Sequence, residues 1–242
     1  MRCRPSLFSR QRGAALLLLM ALGGLGAALL LMSAFQPGSG ERANEQQTYK
    51  RLAEAREALI GYAAQHGRLP RPATSALDGR ERPQQCDSGA SCTGFIPWVT
   101  LGIEGADSWG KMLRYSVTPA FTVIPIQAMF VGGDKIIVTR DNKGQPFYRV
   151  GREGCALFVQ CPPAVIFSSG KSNPGVSVYG TALLNPSSTN LDERQNDTAT
   201  NKFMSRARNT DPALPGGEFD DLVTFVPTQL LYARMRRAQV LK

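Results

Sequence analysis

Four cysteines stand in two pairs, Cys86 with Cys92 and Cys155 with Cys161, each six residues apart. Thiols so placed can form disulfides in an oxidising compartment. Four cysteines allow three connectivities, and local pairing is favoured because short loops rich in Gly or Pro close easily. Each small loop would contribute about 2 kcal/mol by restricting the unfolded chain. Zinc would want Cys-x-x-Cys or nearby histidine spacing. Neither pair has it, and His66 is the only histidine. Cys3 stands apart from both pairs.

Other groups point to chemistry less strongly. Gly170-Lys171-Ser172 follows an apolar run, but the earlier glycine of a phosphate-binding loop would fall at Val165. The acids Asp192, Glu193, Asp197, Asp220 and Asp221 lack Asp-x-Asp-x-Asp spacing and read as a solvated loop rather than a calcium site. Lys202, Arg206 and Arg208, with Arg234, Arg236 and Arg237, could meet DNA, but stacking aromatics are sparse around them. No Gly-x-Ser-x-Gly or His-Glu-x-x-His is present. A Ser-Lys or carboxylate pair stays open, so a membrane-anchored periplasmic enzyme is the rival class. The expectation is a protein with no catalytic residue, no metal, no cofactor and no small-molecule substrate.

The elements that would carry these groups begin with an uncharged run from Gly13 to Phe35. As a helix its 23 residues span about 35 Å, enough for a bilayer core and longer than a secretory signal's apolar region. Arg2, Arg4, Arg10 and Arg12 precede it, so the N-terminus is expected in the cytoplasm and the rest in the periplasm. This reads as a single-pass bacterial inner-membrane protein. Without those four arginines the net charge of +9 falls to about +5, an ordinary surface. The divisions are a basic leader at 1–13, a transmembrane helix at 14–36, a hinge at 37–40, the periplasmic half of a spine helix at 41–66 and a globular head at 67–242. Tyr49, Leu52, Leu59, Ile60 and Ala63 recur at helical spacing, and Gly67 and Pro70 end the helix.

Within the head, residues 71–93 and 185–217 are polar loops. Strand-like runs are Leu113–Val117, Phe121–Ile126, Lys135–Thr139, Phe147–Val150, Ala164–Phe167, Val176–Tyr179 and Leu222–Val226. Turn signals between them argue hairpins. Leu230, Leu231, Met235, Ala238 and Leu241 stripe a terminal helix. The fold class is α+β: a long transmembrane and amphipathic spine helix packed on a small, mainly antiparallel sheet.

Several segments resemble the type IV pilins and the pseudopilins of type II secretion. Gln11-Arg12-Gly13-Ala14 ahead of an apolar helix resembles a prepilin processing site. Leu52 to Ala64, then Gly67-Arg68-Leu69-Pro70, is similar to the exposed half of a pilin helix and its exit. Asp107-Ser108-Trp109-Gly110 before Leu113-Arg114-Tyr115, and Val165-Ile166-Phe167-Ser168-Ser169-Gly170, resemble segments of major pseudopilins. Phe219-Asp220-Asp221-Leu222-Val223-Thr224-Phe225 looks like the closing strand of a prepilin-type family of proteobacteria.

The resemblance implies a pilin-like fold and a minor or capping subunit of a type II secretion or type IV pilus system. Its partners would be the inner membrane, other pilin or pseudopilin subunits and a prepilin peptidase. It implies processing at Arg12, Gly13 and Ala14, with Ala14 where Phe or Met is usual. It implies helix packing through Leu16, Gly23, Gly24, Gly26 and Leu30, where glycines allow close approach. Trp98, Trp109, Tyr115 and Phe225 would fill the head core. Leu18 stands where assembling pilins carry a glutamate, so by this resemblance the subunit either caps a filament or does not polymerise. Some minor pilins serve DNA uptake, a second role within the same family. Arg71 replaces a cysteine expected beside Leu69-Pro70, with Cys86 a candidate to have taken its role.

Overall fold

The computed structural model describes residues 17–25, 39–126, 132–155, 161–198 and 200–241. The chain divides into two compact units, Met1–Ala43 and Asn44–Lys242.

In the first unit, residues 17–25 form helix α1, with Leu17, Leu18, Leu19, Met20, Leu22 and Leu25 exposed. Among the described residues, no helix is long and apolar enough to cross a membrane. Nine helical residues rise only about 14 Å against a bilayer core of about 30 Å. The longer helix α2, Ser39–His66, carries charges throughout. This corrects the expected transmembrane spine, and with it the single-pass inner-membrane location with a periplasmic head. The expected hinge is also altered, since Ser39 and Gly40 already belong to α2. Gly23 and Gly24 lie in α1, where an added Cβ would meet nothing within 4 Å. Arg12, Gly13, Ala14, Leu16, Gly26 and Leu30 lie outside the described residues.

The second unit is built in layers. One sheet joins β1 (Thr93–Phe95), β2 (Arg114–Val117), β5 (Ala164–Ser168) and β7 (Leu222–Val226), all antiparallel. Strand β5 is central and buried along its whole length, and its side chains divide by period two. Ala164 and Ile166 meet Leu52, Ala55, Leu59 and Ala63 of α2 in the main core. The terminal helix α5, Thr228–Arg237, adds Leu231, Tyr232 and Met235 to that core.

Val165 and Phe167 face the other way and pack with Ile137 and Phe203 of a second sheet. That sheet orders β4 (Pro146–Val150), β3 (Ile136–Arg140) and β6 (Lys202–Met204), with β3 and β6 parallel. Short helices α3, Trp98–Leu101, and α4, Leu191–Asp197, complete the regular structure among the described residues.

Some expectations shift. Phe121–Ile126 is not a strand: Pro119–Thr122 is a 3-10 turn. Val176 and Ser177 make only isolated bridges. The supposed loops hold β1 at the end of one and α4 and β6 within the other. Tyr49 is half exposed, and the fully buried residue beside it is Thr48. Tyr115 is fully buried in the core, whereas Trp98, Trp109 and Phe225 are only partly buried at its margins. The ring of Trp98 lies against Gly79 and Gly105, where an added Cβ would come within 2.6 Å of it.

Candidate functional site: a buried polar spine in the head

Polar side chains inside the second unit gather around two acidic centres. The first is Asp107, which closes the turn before Gly110, itself at φ 76°. Asp107 Oδ1 accepts the backbone N–H of Trp109 and of Lys111, both at 2.9 Å. Its Oδ2 accepts Ser168 Oγ at 2.6 Å from the end of β5. Helix α2 grips the same turn: Arg51 Nη1 donates to the carbonyls of Ala106 (2.9 Å) and Asp107 (2.8 Å), and Ser108 N donates to Thr48 Oγ1 at 3.1 Å. Burial raises the Asp107 pKa, and the Ser168 and backbone hydrogen bonds resist that rise.

The second centre joins α4 to the start of β7. Glu193 Oε1 accepts the Asp220 N–H at 2.5 Å, and Oε2 accepts Asn190 Nδ2 at 2.7 Å. Asp221 accepts Asn173 Nδ2 at 2.9 Å and Asn196 Nδ2 at 2.8 Å. One oxygen from each of Glu193, Asp220 and Asp221 lies within 4.8 Å of the others. Such hard oxygen donors are those used by divalent cations of the calcium and magnesium type. Burial pushes the Glu193 carboxyl up to about 7. It also drives Asp221 well above the usual carboxylate range, reinforced by the Glu193 charge. Asp197 rises to about 6 through burial.

Lys111 connects the centres. Its Nζ donates to the carbonyls of Lys171, at 3.0 Å, and Asn173. Burial lowers its pKa, while Asp107, Asp220, Asp221 and Glu193 pull it back up.

Four of the five acids are not the solvated loop that their spacing suggested, whereas Asp197 is exposed. Asp192, Glu193, Asp220 and Asp221 are all nine-tenths or more buried. Asp192 forms ion pairs with Arg140 at 2.6 Å and Arg206 at 2.8 Å. Arg206 also lies over the Phe219 ring, so its guanidinium is held inside the head. At Gly170-Lys171-Ser172, the N–H groups of Lys171 and Ser172 donate to Asp220 Oδ2, at 3.1 Å and 2.8 Å, and do not form a phosphate cradle.

A third cluster secures the exit of α2. Glu81 accepts Arg68 (2.5 and 3.0 Å), the Arg71 N–H (2.8 Å), Arg71 Nε (2.9 Å) and Tyr62 OH (2.9 Å). Burial alone would raise the Glu81 carboxyl; these donors overcome it and hold the carboxyl below its usual range. Burial and this bond push Tyr62 up to about 12. Arg71, standing where the resemblance expected cysteine, thus clamps the following loop by charge. The disulfides Cys86–Cys92 and Cys155–Cys161 are both formed, each local. They fit an oxidising compartment.

A cavity of about 180 Å³ opens beside Glu193 and Asp220, and another of about 270 Å³ beside Phe147, Tyr148 and Lys202. Sequence reasoning named Asp107 only within a segment that resembles pseudopilins, and Asp220 and Asp221 only as part of a loop read as solvated. It missed Thr48, Arg51, Glu81, Lys111, Asn173 and Asn196, whose partners are remote in sequence or look like ordinary surface residues. No family model, curated protein or solved structure matches this chain.

Proposed function

We propose that the chain is a minor or capping subunit of the pilin or pseudopilin kind, serving a type II secretion or type IV pilus system. It works by helix packing and partner contact, not by making bonds in a substrate. The observation that carries this reading is the union of α2, the Asp107 turn and the end of β5. Asp107-Ser108-Trp109-Gly110 and Ser168-Ser169-Gly170 resemble pseudopilin segments separately, and here they hydrogen-bond to one another and to Thr48 and Arg51 of α2. A subunit that presents a head on a packed helix needs such a rigid joint.

The partners in this reading are other pilin or pseudopilin subunits, with a prepilin peptidase acting after Gly13. Leu18 in place of glutamate favours a cap over a repeating subunit. The test is the intact mass and N-terminal sequence of the protein from its native cells, with crosslinking from the exposed Tyr49 position on α2. A mature start at Ala14 and crosslinks to pilin-like subunits are expected. A start at Met1 with no such crosslink overturns the reading.

A further inference from the structure

Lys135 is fully buried immediately before β3. Its Nζ lies 3.1 Å from Asp134 Oδ1 and donates to Asn201 Oδ1 at 3.0 Å. The backbone fixes this meeting. Ile136 N donates to the Asn201 carbonyl at 2.7 Å, and the parallel register of β3 with β6 begins at Ile136 opposite Lys202. Lys135 N donates to the Pro162 carbonyl at 3.2 Å. Asp134 is held in turn: Thr118 Oγ1 donates to its Oδ1 at 2.5 Å, and Asp134 N donates to Thr118 Oγ1 at 3.1 Å.

A primary amine, a side-chain carboxamide and a carboxylate, locked together, are the parts needed for amide exchange. The carbon to be attacked lies one carbonyl bond, about 1.2 Å, from the oxygen that Lys135 already touches. Fixed proximity of this kind replaces a bimolecular encounter. Burial lowers the Lys135 pKa, against the pull of Asp134, and so favours the neutral amine that acts as nucleophile. Asn201 is exposed, so the leaving group has a path to solvent.

We propose that Lys135 and Asn201 join in an intramolecular isopeptide bond, with Asp134 as the proton carrier. Asp134 takes a proton from the Lys135 ammonium. The freed lone pair forms a bond from Nζ to Asn201 Cγ. The bond from Cγ to Nδ2 breaks as Asp134 returns its proton to the departing nitrogen, and ammonia leaves. The second proton still on Nζ passes through Asp134 to that ammonia, leaving a neutral secondary amide and ammonium. No oxidant or cofactor is required. The product ties β3 to β6, a ladder of only three residue pairs, by a link that survives reduction.

Mass spectrometry of the folded, oxidised full-length chain tests this. The expected mass is lower by one ammonia than that of the sequence with its disulfides closed. Trypsin should release a branched peptide joining residues 115–140 to 195–202, uncut after Lys135. An unmodified mass with separate linear peptides overturns the proposal. Lys135→Arg keeps the charge but removes the nucleophile, and Asp134→Asn removes the proton carrier; both should abolish the branched peptide completely. Loss of ammonia that persists in Lys135→Arg traces the loss to another asparagine and overturns the crosslink. A branched peptide that persists in Asp134→Asn overturns the role of Asp134.

Discussion

Ser168 donates its hydroxyl to Asp107 across 61 residues, at 2.6 Å, in a fully buried setting. This bond fastens the end of the central strand to the turn that α2 holds from the other side. A buried carboxylate is tolerable only when donors replace its water, and Asp107 has three. Asp107→Ala leaves the N–H groups of Trp109 and Lys111 and the Ser168 hydroxyl without that acceptor. The expected loss is about 3 kcal/mol, while Ser168→Ala costs about 1–2 kcal/mol. Urea unfolding measures both, and equal costs would show that the two backbone bonds matter little.

The pH response follows from Glu193. Its folded carboxyl sits at about 7 against an ordinary 4.5, so the folded chain binds a proton that the unfolded chain has released. Stability is therefore highest towards the acid end of that window and falls as pH rises through about 7. Asp197 and Asp221 act in the same direction. Melting temperature should drop by several degrees between about pH 5.5 and about pH 8. Glu193→Gln, with no charge to bury, should flatten that slope. Glutamine offers one acceptor where Glu193 offers two, so either the Asp220 N–H or the Asn190 amide loses its partner and the variant should be less stable at acid pH. A slope unchanged in this variant would move the effect to another group.

How much of this was legible in the sequence depended on the length and chemistry of each element. Strands β2, β3, β4, β5 and β7 announced themselves as apolar or β-branched runs between turns. Strand β6 did not, because Lys202-Phe203-Met204 is too short to show alternation. Strand β1 carries Gly94 at its centre, where an added Cβ would stand 2.6 Å from the Ala73 carbonyl oxygen. That close approach, invisible in sequence, demands a residue that ordinarily argues against a strand. The buried acids were misread for a related reason. A carboxylate far along the chain from Asn173 and Asn196 looks solvated until the fold brings those amides to it. The apolar run at Gly13–Phe35 shows the converse: composition suggested an element that, among the described residues, reaches only from 17 to 25.

The two disulfides should differ in vulnerability. Cys86 and Cys92 are both fully buried in the main core, whereas Cys155 is partly exposed beside buried Cys161. Reductant should open Cys155–Cys161 first, and alkylation under graded dithiothreitol followed by peptide mapping reads the order. Replacing either pair by alanine removes about 2 kcal/mol of loop constraint. The Cys86–Cys92 replacement should cost more, because it also removes buried sulfur from a packed core. Equal melting shifts would mean that the core closes over the lost atoms.

Glu81 offers the opposite pH sign. Its folded carboxyl lies below the ordinary range, so its contribution is present above its unfolded value and lost as pH falls through the folded one. Glu81→Gln keeps the shape but removes the charge that Arg68 and Arg71 share. Their guanidinium groups are largely buried, with side chains 16% and 19% exposed, and the loss should be about 2 kcal/mol at neutral pH. Because Arg71 also holds the loop through its backbone N–H, Arg71→Lys should retain part of that loss. Lysine keeps the charge but not the planar fork. Thermal unfolding at pH 7 and again at about pH 3 separates the two effects. The deficit of Glu81→Gln should shrink at the lower pH, where the wild-type carboxylate is itself being protonated, and a deficit independent of pH would assign the cost to packing instead.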